Sequence, residues 1–145
     1  MFGFSSAGIG SACIVAVVVL LLPHGKSRPV AWQDVGARVG PVLSPDLTRR
    51  LFQTPAQFHE FFGLQTQAPV DFSRRQLLLV STGPRSSTGY GVRILSVTGR
   101  GDGITVRVKE RTPTLADHVE ARVTHPYRLI SLPAGKAVYV NWVGR

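Results

Sequence analysis

The chain has 145 residues and a formal net charge of +9, with 17 lysines and arginines against 8 carboxylates. Its single cysteine, Cys13, excludes an internal disulfide and a cysteine-built metal cage. The length fits one domain whose core needs no covalent staples. The charge points to a nucleic acid or anionic membrane as partner, or to a solvated arginine-rich surface, the reading adopted here.

From Phe2 to Leu22 no side chain is charged, and Ala12–Leu22 is apolar throughout. A bilayer core takes about 20 apolar residues as a helix. Residues 1–22 therefore read as a hydrophobic helix, either a transmembrane anchor or a signal-like segment. The absence of a polar face argues against a soluble helix. No Lys or Arg precedes the run, whereas Lys26 and Arg28 follow it. Taken literally, that asymmetry keeps the C-terminal part in the cytoplasm; a start codon that omits a basic leader would also produce it. Gly10-Ser11-Ala12-Cys13 resembles a lipoprotein cleavage site. Cys13, however, precedes the apolar core instead of following it, and reads as a membrane-buried residue.

Residues 23–29, rich in Pro, Gly, Lys, Ser and Arg, read as an exposed linker to a domain spanning 30–145. Val30–Leu43 holds Trp32 and spaced valines but is broken by Gly36, Gly40 and Pro41, which predicts an irregular segment or edge strand. Arg49–Gln53 is a short strand candidate. Thr54–Leu64 is predicted as a helix. Thr54 is its N-cap, Pro55 its first residue, Gln57 completes a capping box, and Gly63 ends it in a left-handed conformation. Phe58, Phe61 and Phe62 form its core stripe.

Gln76–Thr82 is nearly all apolar and predicts a strand buried on both faces. Gly83–Gly89 is turn chemistry, with Gly89 free to take a positive φ. Strands are predicted at Tyr90–Thr98, Ile104–Lys109, Val119–Thr124, Tyr127–Leu132 and Ala137–Val143, with turns at Gly99–Gly103 and Pro133–Gly135. The expected fold is mainly β: an antiparallel β-sandwich or partly open barrel with one short packed helix, preceded by the N-terminal hydrophobic helix.

No catalytic constellation emerges, so the chain is expected not to be an enzyme. The chain has no nucleophile elbow and no phosphate loop, and nothing marks a pair of its few carboxylates as an acid/base couple. His24, His59, His118 and His125 are not at metal-ligand spacing. His59-Glu60 lacks the second histidine of a zinc helix, since position 63 is Gly63. No metal, cofactor or nucleic acid is expected. Arg107, Lys109 and Arg111 share one strand face, but no aromatics interleave with them to stack bases. Arg100-Gly101-Asp102 matches an integrin-type tripeptide and reads as a hairpin turn. The polar loop Arg85, Ser86, Ser87, Thr88, Gly89 and Tyr90, set between rigid strands, is the candidate protein-binding surface.

Three motifs in order add a resemblance. Val70-Asp71-Phe72-Ser73 leads into the buried strand; Gly83 with Ser87-Thr88-Gly89-Tyr90 follows, then Pro126-Tyr127-Arg128-Leu129-Ile130. Together they resemble the C-terminal domain of PrcB-type protease complex subunits, over roughly Trp32 to Trp142 and most densely Val70 to Pro133. Ser87 stands where many relatives have a Pro-Thr-Gly-Gly loop. The resemblance implies a non-catalytic cell-envelope domain, since the family's namesake is a lipoprotein subunit that binds and stabilises a protease. The loop is also similar to the Thr-Gly-Tyr loop of chagasin-type inhibitors of cysteine proteases, which are immunoglobulin-like sandwiches. The expected function is thus an exported or membrane-anchored binding domain, an accessory subunit of an envelope protease, lying outside the cytoplasm. The alternatives are a protease-inhibitor-like domain and a basic nucleic-acid-binding module.

Overall fold

The strands form two sheets packed face to face. The computed structural model describes residues 25–40 and 46–144; residues 1–22 with Cys13, and His24, Val42 and Leu43, lie outside them. Strands β1 (Arg28–Pro29), β5 (Gly91–Arg100), β6 (Gly103–Arg111) and β8 (Ala137–Val143) form one sheet in the order β1-β5-β6-β8. Strands β2 (Gln33–Asp34), β3 (Arg49–Phe52), β4 (Arg75–Ser81) and β7 (Tyr127–Pro133) form the other in the order β2-β7-β4-β3. Helix α1 (Pro55–Phe62) covers the outer face of the second sheet. Among the described residues the sheets do not close into a barrel, and no helix is long and apolar enough to cross a membrane.

β4 lies at the centre of this arrangement. Its even residues Leu78 and Val80 face the first sheet, joining Ile130, Leu132, Val92, Val97, Ile104, Val106, Val108 and Val138. Its odd residues Leu77 and Leu79 face the helix, with Phe52, Phe58, Leu129 and Val35. Both faces are buried, as the continuous apolar run predicts. Each such leucine stabilises the fold by about 1.5–3 kcal/mol through area removed from water. Gln76 is buried in this strand yet satisfied. Its amide donates to the carbonyls of Pro133 (2.9 Å) and Lys136 (3.0 Å), and its oxygen accepts from Gln53 Nε2 (3.2 Å).

The helix forms for the reasons its sequence states. Thr54 Oγ1 accepts from the Gln57 amide at 3.3 Å. The Gln57 side chain reaches back one residue further than a capping box requires, accepting from the Gln53 amide at 2.8 Å. Gly63 ends the helix at φ 93°, a region that disfavours any side chain. Phe58 is fully buried, stacked on Phe62 at 4.5 Å and edge-on to Phe52 at 6.3 Å.

The structure corrects several expectations and adds a bulge. The sandwich is not wholly antiparallel: β6 and β8 pair in parallel, because the chain visits the other sheet as β7 between them. Val119–Thr124 is not a strand. Only Thr124 makes a bridge, to Arg85, and Val119 and Val123 are 43% and 68% exposed. Alternation there has no sheet face to bury, so it builds no strand. In β5 the register shifts between Ile94 and Ser96, so Leu95 bulges out and Val97 turns inward where strict alternation would expose it. The segment expected as a linker also joins the fold, since Arg28 and Pro29 pair with Gly99 and Thr98.

The strand directions give the sandwich two distinct ends. At one, β4 and β6 finish while β5 and β7 begin, and Arg128 Nε donates to the Val92 carbonyl across the sheets (2.9 Å). At the other sit the β5–β6 hairpin and the β7–β8 turn, joined by the Ala137 amide on the Asp102 carbonyl (2.9 Å). Ten residues of β5 at about 3.3 Å each separate the two by roughly 30 Å.

Candidate functional site

The predicted binding loop, Arg85–Tyr90, lies in the connection 82–90 and does not stand alone. It is docked along the second connection, residues 112–126, at the same end of the sandwich. The Arg85 and Thr124 backbones exchange two hydrogen bonds, each 2.8 Å. The Thr88 amide donates to the Glu120 carbonyl (3.1 Å), and the Glu120 amide donates to Thr88 Oγ1 (3.0 Å). Thr124 Oγ1 donates to the Ser87 carbonyl at 2.7 Å, and the Thr82 amide to the Pro126 carbonyl at 3.1 Å. This pairing is a miniature ladder made by side chains as well as backbone.

Arg85 fixes the double loop to the sheet. Its guanidinium forms a forked ion pair with Glu110, Nε on Oε1 and Nη2 on Oε2 (3.0 Å), with side chains 26% and 15% exposed. The hydrogen bonds to Glu110 hold the Arg85 charge more firmly than in free arginine, raising its pKa, while desolvation opposes them. Nη1 donates to the Pro84 carbonyl (2.9 Å), and the guanidinium lies 5.9 Å from the Tyr90 ring centroid. Glu110 follows from β6 alternation: as an even residue it shares the inward side with Val106 and Val108, and meets Arg85 at the rim.

The positive φ expected of Gly89 falls on another glycine. Gly83, not Gly89, takes the positive φ (75°). Gly89 is needed for close approach: a Cβ there would lie 2.5 Å from both Pro113 Cβ and Val119 Cγ1. A second device shapes the far side of the connection. Asp117 accepts from the Thr114 amide (2.8 Å) and hydroxyl (3.2 Å) and from Arg111 Nη2 (3.0 Å). The Thr114 amide bond first, and then its hydroxyl and Arg111, hold the Asp117 carboxyl below its usual value.

What faces solvent is therefore a composite. Pro84 and Ser86 are exposed; Arg85, Ser87, Thr88 and Tyr90 are half-buried, and Gly89 is buried. Leu115, Val119 and Val123 are three of the seven exposed large hydrophobics among the described residues, all on the second connection. Sequence reasoning missed this apolar half, because alternation at Val119 and Val123 suggested inward-facing valines. The signal available was Pro113 with the Thr114–Asp117 turn chemistry, which breaks a strand reading of the preceding stretch.

The other predicted groups stay apart. His59 Nδ1 lies 3.3 Å from the Gly63 carbonyl, and among the described residues no three His, Cys, Asp or Glu side chains gather. Arg107, Lys109 and Arg111 do share the outer face of the first sheet. Arg93 lies opposite Lys109, and Arg111 is paired with Asp117. Arg100-Gly101-Asp102 is part of the β5–β6 hairpin, with Arg100 paired to Gly103.

Residues 77–133 match the family model described as PrcB C-terminal. The resemblance read from the motifs thus stands over β4, β5, β6 and β7 together with both loops of the site. Helix α1 and strands β1–β3 and β8 lie outside the match. No curated protein and no solved structure matches the chain significantly.

Proposed function

We propose, taking residues 77–133 as a PrcB C-terminal domain, that this chain is a non-catalytic binding domain and an accessory subunit of an envelope protease. The family's name associates it with a protease complex. The observation that carries the reading is the composite surface at the loop end. A rigidly held polar loop lies beside exposed Leu115, Val119 and Val123. Exposed apolar side chains beside polar groups are a surface that a protein partner covers. The apolar run Phe2–Leu22 supports attachment at a membrane or export through it, with the domain outside the cytoplasm.

The test must spare the scaffold. Replacing Arg85–Tyr90 wholesale would also break the Arg85–Glu110 pair and the Thr88–Glu120 bonds. Leu115→Asp and Val123→Asp change only exposed side chains. Tagged full-length protein captured from solubilised membranes of the native host should bring down a protease in stoichiometric amount. The two substitutions should abolish that enrichment without lowering the yield of the chain. Capture that is equal with and without them, or free of any protease, would refute the reading.

A further inference from the structure

The hairpin end carries a feature that the binding loops do not use. Lys26, Arg28, Arg100 and Lys136 line one surface hollow of about 380 Å³. They come from three separate stretches: the start of the described chain, the β5–β6 hairpin, and the β7–β8 turn. Lys136 Nζ donates to the Gly101 carbonyl (3.0 Å), and the Gln76 amide holds the Lys136 carbonyl, so the turn is fixed against the hairpin. None of the four cations enters an ion pair among the described residues. Asp102 on the hairpin tip belongs to the same end. So does Asp71, whose carboxylate is engaged by Ser73, with the exposed Arg74 nearby. The balance there is cationic.

Gly25 lies at this hollow, and only Pro23 and His24 separate it from Leu22, the last residue of the apolar run. Extended chain covers at most about 3.6 Å per residue, so the hollow lies within roughly 10 Å of that run. We propose that the hairpin end seats on the anionic headgroups of the bilayer that Phe2–Leu22 enters, which rests on the membrane-attachment reading above. Cations within a Debye length of a charged leaflet are drawn to it. Folding has gathered Arg100 and Lys136, distant in sequence, beside Lys26 and Arg28 at that one place. Seated so, the domain holds its loop end roughly 30 Å above the surface, turned toward a partner.

The experiment uses full-length protein in nanodiscs of phosphatidylcholine, with and without phosphatidylglycerol. Amide exchange is followed at residues 99–103 and 134–137. The expected result is slower exchange at both turns in the anionic discs only. That slowing should be lost at high salt and in the Lys26→Gln/Arg28→Gln/Arg100→Gln variant, which leaves the Lys136 bond intact. Equal exchange in both discs overturns the inference while leaving attachment standing. Slowing reproduced by inorganic phosphate over phosphatidylcholine discs also overturns it, in favour of a free-anion site. Failure to enter either disc overturns the attachment reading and this inference with it.

Discussion

Gly89→Ala should prise the two loops of the site apart while leaving the sandwich folded. The added methyl would lie 2.5 Å from Pro113 Cβ and from Val119 Cγ1, and 3.2 Å from Pro113 Cγ. Apolar carbons settle at about 3.5–4.0 Å, so each neighbour must retreat by about 1 Å. Pro113 cannot turn its ring away, and Val119 has a single stiff torsion. Gly89 does not have a positive φ, so the penalty is steric and not one of backbone conformation. Overpacking of this kind costs about 1–3 kcal/mol. The least costly relief is for residues 113–120 to swing outward, which breaks the Thr88–Glu120 bonds. Hydrogen exchange at the Thr88, Arg85 and Thr124 amides should then accelerate about 5- to 150-fold, with the amides of β4 unchanged. Gly83→Ala is the control. Its φ of 75° carries strain but nothing lies within 4 Å of a Cβ there, so the loops should stay joined. Unaltered exchange at Thr88 and Thr124 in Gly89→Ala would refute the docking argument.

The remaining predictions concern the helix and the acid-sensitive turn. Phe58→Ala removes a fully buried ring in contact with Phe52, Phe62 and Phe72. It should destabilise the domain by about 3–5 kcal/mol in denaturant unfolding; a loss under 1 kcal/mol would mean that α1 is not docked on β4. Asp117 has a folded-state pKa below its unfolded value, so its contribution is present above that unfolded value and lost as pH falls through the folded one. Protection of the Thr114 amide should therefore hold at neutral pH and fall only below about pH 4. Asp117→Asn should remove the acid dependence, and a transition near pH 6 would point to a different group.

The division between local and tertiary information can be read from particular residues. Thr54, Pro55, Gln57 and Gly63 place α1 nearly to the residue, because a cap and a stop act within one turn of chain. The apolar run Leu77–Val80 announced a strand buried on both sides. The glycines at 101 and 135, both with positive φ, mark the turns expected there. Two of the three motifs, at Gly83 with Ser87–Tyr90 and at Pro126–Ile130, fall inside the matched residues 77–133, in a loop and at the start of β7, whereas Val70–Ser73 precedes β4 and lies outside the match. Chain order alone did not show that β8 would return parallel to β6, since alternation states which face a residue takes but not which sheet it joins. Nor did it show that Val119 and Val123 would stay outside. Burial there depends on whether another surface arrives to cover them, and what arrives is a polar loop that pairs with the neighbouring Glu120 and Thr124. Gly89 was misread for the same reason: local rules identify a residue that can adopt any φ, whereas only packing shows where a Cβ has no room. The sequence by itself determined α1, β4 and most of the longer strands with their inward faces, which are set by interactions within a few residues. The tertiary structure alone joined the two loops at one end and gathered four cations at the other, because those contacts close across the whole chain.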